Sequence, residues 1–212
     1  MKKFKKLVIA PHIDDDILGC GGIIDADTFV LYCGMDESHI VQDWVRQRPS
    51  SKTRLDEVSA AQDILGYQYD ILHNKVNHYI PQDLISSFEK FINELKPEQI
   101  YIPHNSSYNQ DHRSVHEAAI IALRPHDMNW FVKKVFTYEQ PHVFFWSHFN
   151  ETFKPSYFIE IDINKKIQAY NAMESQVRKF RSKEQIKSMA NLRGAQSNCE
   201  FAESFEILRW VD

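Results

Sequence analysis

Residues 7–22 read LVIAPHIDDDILGCGG. A short apolar run stops at Pro11, and His12, three consecutive aspartates (Asp14, Asp15, Asp16) and a glycine cluster follow. A continuous apolar run of this length predicts a strand covered on both faces, the pattern of a parallel sheet. Three adjacent carboxylates repel one another and resist burial, so something must offset them. A helix N-terminus favours negative charge and explains one aspartate well. Three aspartates with a histidine point further, to a bound cation. His12 and Asp15 are three residues apart at a predicted strand-to-helix turn, and both are zinc-type donors. Asp14 or Asp16 is then left to act on a water whose pKa the metal lowers to about 7.

The glycines invite a dinucleotide-binding reading. That fingerprint is G-x-G-x-x-G. GCGGII, residues 19–24, has Ile24 at the third position, and the aspartates would repel a pyrophosphate. Three of the chain's six glycines, Gly19, Gly21 and Gly22, sit in this short stretch. They are read as letting the first helix pack closely on the sheet.

Outward from this stretch, strand and helix patterns alternate. Strands are expected at 6–10, 28–34, 69–72, 99–104, 132–139, 156–162 and 203–211. Helices are expected to start in 15–26 and to cover 52–66, 81–96, 112–124, 164–180 and 182–193, with Asn164 and Ser182 as N-caps. On 52–66 the inward face is Leu55, Val58, Ala61, Ile64 and Leu65, with Gly66 as the stop. On 81–96 it is Leu84, Phe88, Phe91, Ile92 and Leu95. The alternation implies right-handed βαβ units. The predicted class is α/β, a Rossmann-like, mostly parallel sheet with helices on both faces, in one domain spanning 1–212.

In such a sheet, ligands sit beyond the carboxyl ends of the strands. YNQDHRSVH, residues 108–116, follows the fourth strand as the first cluster follows the first strand. His112 and His116 are i and i+4 on a helix face. Arg113 stands where an H-E-x-x-H motif needs glutamate, so that zinc motif is absent.

The chain has 212 residues, 43% hydrophobic, with a formal charge of −4. It can bury one substantial core, and its charge argues against a nucleic-acid partner. The basic lead-in MKKFKK and its apolar run are too short for a secretory segment, and no transmembrane segment is expected. Cys20, Cys33 and Cys199 form no C-x-x-C pair, which suits a reducing, cytoplasmic location.

PHIDDDILGCGG resembles the (A/P)-H-x-D-D-x-x-x-G-x-G-G signature of the PIG-L/LmbE zinc-dependent N-deacetylases. NQDHR resembles the family's second motif, H-x-D-H or N-x-D-H, and RLDEVSAAQDILG its intervening helix. TYE (137–139), KIQAYNAMESQ (166–176) and RGAQSNCEFAESFEILR (193–209) are similar to later landmarks. The resemblance implies hydrolysis of an N-acetyl group from an amino sugar, whether small-molecule, lipid-linked or nucleotide-linked. It implies His12, Asp15 and His112 as ligands of zinc, or of another divalent ion. Asp14 becomes the general base, Asp111 orients a partner near the metal, and Arg54 faces substrate. Glu57 is expected to be structural, and Asp16 a bystander or helix cap.

Asn109 stands where many relatives carry histidine. It can donate a hydrogen bond to an oxyanion but cannot shuttle a proton. His104, Tyr108 and His116 are the candidates to replace that group. A catalytically idle metal- or nucleotide-sugar-binding module is the alternative function. Tyr138, Phe144, Phe145 and Trp146 are read as core or packed loop before sugar-stacking. His39, His73, His78, His126, His142 and His148 are read as surface or satisfied-core residues. Specificity is expected in loop 35–51 and in region 140–155, and a homo-oligomer is left open.

Overall fold

The computed structural model describes residues 3–35, 49–142 and 152–212. Most of the predicted specificity loop, with His39, lies outside them. So does much of region 140–155, with Phe144, Phe145, Trp146 and His148.

Among the described residues, seven strands form one sheet. β1 (Lys6–Ala10), β2 (Thr28–Tyr32), β3 (Gln68–Ile71), β4 (Gln99–Pro103) and β5 (Lys134–Tyr138) are parallel. β6 (Tyr157–Glu160) and β7 (Ala202–Trp210) complete it, with β7 antiparallel to both β5 and β6. The spatial order is β3-β2-β1-β4-β5-β7-β6. The chain therefore turns back at β1. β2 and β3 extend the sheet to one side, and β4 and β5 to the other. The crevice beyond the carboxyl ends of β1 and β4 is the switch point where α/β sheets place ligands.

Both faces of the sheet are covered. Val8 and Ala10 of β1 face one cluster, with α2 (Ser51–Leu65), α5 (Ile163–Ala172) and α6 (Lys183–Ser197). Leu7 and Ile9 face the other, with α3 (Pro81–Leu95) and α4 (Gln110–Ala122). This is why β1 carries no polar alternation. Leu84, Phe88 and Ile92 of α3 are buried as the periodicity predicts. No helix among the described residues is long and apolar enough to cross a membrane.

The first helix, α1 (Asp15–Cys20), starts where expected and is six residues long. Three expectations are corrected. The helix foreseen over 164–180 stops at Ala172 and continues as two 3₁₀ turns, Glu174–Gln176 and Lys179–Arg181. Its N-cap is Asp162, whose carboxylate accepts the backbone N–H groups of Asn164 and Lys165, leaving Asn164 inside the helix. On α2, Leu55 is exposed while Arg54 and Glu57 are buried. An internal ion pair has overridden hydrophobic periodicity there, because the two charges satisfy each other.

The glycines after β1 serve close approach. None of Gly19, Gly21 and Gly22 has positive φ. A Cβ on Gly19 would overlap the ring of Tyr138 on β5, and one on Gly22 would overlap Ile161. Tyr138 is itself fully buried and donates its hydroxyl to the Ile9 carbonyl, so it is a core residue. Gly19→Ala should lower unfolding stability by about 1–3 kcal/mol, the usual cost of overpacking, as read by urea denaturation.

Candidate metal centre

The turn after β1 places His12 at the crevice and starts α1 at Asp15. Asp14 stands between them at φ 115°, a conformation that is strained for a residue with a Cβ. Its carbonyl accepts the Leu18 N–H, but its side chain caps nothing. The carboxylate is nearly buried and pairs instead with Arg181 Nη1 at 2.8 Å. Burial raises the Asp14 pKa, and Arg181 opposes that rise.

Asp15 occupies the centre. Its Oδ2 lies 3.2 Å from His12 Nδ1 and 3.2 Å from His112 Nε2. The same oxygen accepts the His12 backbone N–H at 3.0 Å, and Oδ1 accepts Gln140 Nε2 at 2.6 Å. Although burial disfavours its charge, the two histidines hold the carboxyl well below the usual range. His12, Asp15 and His112 offer donor atoms that all lie within 4.8 Å of one another. Donors bound tetrahedrally to one ion at about 2.0–2.2 Å stand roughly 3.3–3.6 Å apart. Two imidazole nitrogens flanking one carboxylate oxygen at this spacing fit a divalent cation.

The other nitrogen of His12, Nε2, meets Asp111 Oδ2 at 3.0 Å. Asp111 is fully buried at the start of α4 and also accepts the backbone N–H groups of Asn77 and Tyr79. The carboxylate thus fixes the ring and leaves Nδ1 turned to Asp15, as second-sphere carboxylates do at histidine ligands. Burial pulls the His12 pKa down, but the bonds to Asp111 and Asp15 prevail and lift it to about 10.

The third aspartate stands apart from the donor set and from the cleft, the bystander of the two expected roles. Asp16 is fully buried and accepts the Tyr32 hydroxyl at 2.8 Å, and that hydroxyl in turn meets Tyr67. Burial raises its pKa to about 7.

A cleft of about 400 Å³ opens over these groups and is also bordered by Arg54, Tyr108 and Asn109. Asn109 is the N-cap of α4, its side-chain oxygen accepting the Asp111 N–H at 2.9 Å. That bond leaves its amide nitrogen as the end able to reach the cleft. Arg54 is 1% exposed and bonds Glu57, Ser175 and the Ile13 carbonyl. Glu57 also accepts the Ser175 N–H and hydroxyl, and so takes a structural part.

His104 and His116 are not brought to the donor set. They line a second cleft, where His104 Nε2 faces Glu206 at 3.1 Å and His116 Nδ1 faces the Pro103 carbonyl at 2.8 Å. Three residues at the site carried no sequence signal. Arg181 lies between two stretches read as helices, 164–180 and 182–193, Gln140 in no motif, and His142 among the histidines read as surface or satisfied core. His142 in fact borders the cleft with its ring against His112, centroids 5.0 Å apart. Burial, then the neighbouring His112, lower its pKa to about 3.

A family profile described as PIG-L, GlcNAc-PI de-N-acetylase, matches residues 7–123. No curated protein matches the sequence. Among solved structures, the conserved protein TT1542 from Thermus thermophilus is 24% identical with a TM-score of 0.79, covering 99% of this chain and 96% of its own. The N,N'-diacetylchitobiose deacetylase from Pyrococcus horikoshii is 18% identical with a TM-score of 0.74, covering 97% and 84%. The 4-carboxy-2-hydroxymuconate hydratase GalB from Pseudomonas putida is 20% identical with a TM-score of 0.75, covering 100% and 99%. These likenesses show the fold.

The Arg181–Asp14 pair should behave as one unit. In a double-mutant cycle, Arg181→Gln and Asp14→Asn should be non-additive in unfolding free energy by about 0.5–3 kcal/mol, because Arg181→Gln alone leaves a buried carboxylate unpaired.

Proposed function

Since the chain belongs to the PIG-L (GlcNAc-PI de-N-acetylase) family, we propose that it is a zinc-dependent hydrolase that removes an N-acetyl group from an amino sugar or its conjugate. The observation that carries this reading is the His12–Asp15–His112 donor set beside Asp14 at the sheet's switch point. Fold likeness to a chitobiose deacetylase favours an N-acetylated sugar as the substrate class.

His12 Nδ1, Asp15 Oδ2 and His112 Nε2 would hold the ion, with Asp111 keeping the His12 ring in place. A bound divalent ion there supplies Lewis acidity and lowers the pKa of water to about 7. Asp14 takes a proton from the attacking water on its carboxylate and returns it to the leaving amine, since a base that has gained a proton can donate it later. Arg181 keeps that carboxylate charged and aimed, and its hold must loosen as Asp14 protonates. The amide nitrogen of Asn109 can donate a hydrogen bond toward the acyl oxygen. Arg54 and Tyr108 border the space left for the sugar.

One feature favours a second reading, a module that binds metal without turnover. Asn109 cannot move a proton, and its side-chain oxygen is already engaged in capping α4.

Metal analysis with an acetate-release assay separates the two. The metal-loaded chain should carry one ion and release acetate from N-acetyl sugars, and chelation should abolish release. His12→Ala should lose the ion. Asp14→Asn should keep it and lower kcat by about 10²–10⁴-fold. Asp111→Asn should weaken metal affinity by about 10–100-fold. Full metal and full activity in His12→Ala would overturn the proposal, and bound metal without turnover would favour the module.

A further inference from the structure

The structure brings a histidine from elsewhere in the chain to the cleft that Asn109 borders. His142 comes four residues after the end of β5 and borders the same cleft as the donor set. Its ring meets His112 edge-on, 76° between planes. Two residues earlier, Gln140 is fixed to Asp15, so this segment is anchored at the centre on both counts.

The hydrogen bonding of His142 is directional. Its Nε2 lies 2.8 Å from Oγ of the fully buried Ser107. Ser107 Oγ already accepts the backbone N–H of Asn109 at 3.1 Å. Its hydroxyl proton remains for donation, and His142 Nε2 is the acceptor in reach among the described residues. A neutral imidazole that accepts at Nε2 carries its proton on Nδ1. Nδ1 makes no hydrogen bond among the described residues. The chain Asn109 N–H to Ser107 O–H to His142 therefore puts the proton on Nδ1 of a ring that borders the cleft beside a candidate metal ligand.

We infer that His142 Nδ1–H is a catalytic hydrogen-bond donor to the oxygen of the substrate's acyl carbonyl, and that Ser107 is the positioning residue that sets its tautomer. This deepens the deacetylase reading and rests on it for the identity of that oxygen. No proton changes hands. The N–H stabilises charge on the oxygen as water adds to the carbonyl carbon, and it needs no reorganisation because Ser107 has already oriented the ring. The arrangement adds a second donor to the acyl oxygen, beside the amide nitrogen of Asn109.

The test uses the full chain loaded with zinc, with metal content measured for every variant. His142→Ala should lower kcat by about 10²–10³-fold, the usual effect of removing one oxyanion donor, with KM and metal content little changed. His142→Asn, whose amide N–H stands near the position of Nδ1, should recover much of that loss. Ser107→Ala should lower kcat less than His142→Ala does. Two readouts do not depend on turnover. Acetohydroxamate should bind the loaded wild type and His142→Asn more tightly than His142→Ala by calorimetry. ¹⁵N spectra of the metal-free, histidine-labelled chain should show His142 as the Nδ1–H tautomer, and Ser107→Ala should abolish that preference. Unchanged kcat and hydroxamate affinity in His142→Ala would overturn the inference. So would a loss of activity that merely follows a loss of metal. If wild type releases no acetate from any N-acetyl sugar, the deacetylase reading fails. The hydroxamate and tautomer results still decide the placement of His142.

Discussion

The carboxylate of Asp15 is the point on which the site depends. It is almost fully buried, and its neighbours come from its own turn and from two distant parts of the chain: His12 three residues before it, His112 in α4 and Gln140 after β5. A buried anion left unpaired is strongly destabilising. The carboxylate can occupy this position only when those three segments have converged, and their convergence is the crevice at the switch point of the sheet. The local charge problem and the global topology therefore have one solution.

The three adjacent aspartates divide the space around β1 between them. Asp14 is turned out by a positive φ and held by Arg181. Asp15 takes the histidines. Asp16 points into the core, where its Oδ2 accepts the Tyr32 hydroxyl, which in turn meets Tyr67. Each occupies a different environment, so their ordinary repulsion is replaced by separate partners. Support comes from buried ion pairs at longer range. Arg54 binds the Ile13 carbonyl beside the turn and is fixed by Glu57, which also holds Ser175. Glu139, next to Gln140, is paired with Arg193 of α6, and Lys166 of α5 with Glu203 of β7. The second half of the chain thus buttresses the centre although it contributes few groups to it.

Much of this was legible in the sequence, for identifiable reasons. β1 reads as a strand because both of its faces are covered. α3 reads correctly because its buried stripe is apolar throughout. Gly66 ends α2 in the left-handed conformation expected of it, at φ 87°. His12, Asp15 and His112 stand out because metal-donor residues gather near strand ends. The misreadings share a different cause. Leu55 and Arg54 exchanged places because a paired charge can be buried, which periodicity does not register. The helix over 164–180 broke at Met173, where Ser175 is drawn to Glu57 and Arg181 to Asp14, contacts far off in sequence.

The sequence by itself determined the alternating α/β order, the covered parallel strands and the two polar clusters that follow β1 and β4. These depend on local periodicity and on residue chemistry within short windows. Only the tertiary structure decided which partners each aspartate meets, which nitrogen of His12 faces Asp15, and that Gln140, His142 and Arg181 stand beside the donor set while His104 and His116 do not. Those outcomes follow from distances between residues far apart along the chain, and a lone glutamine, histidine or arginine carries no spacing pattern that could foretell them.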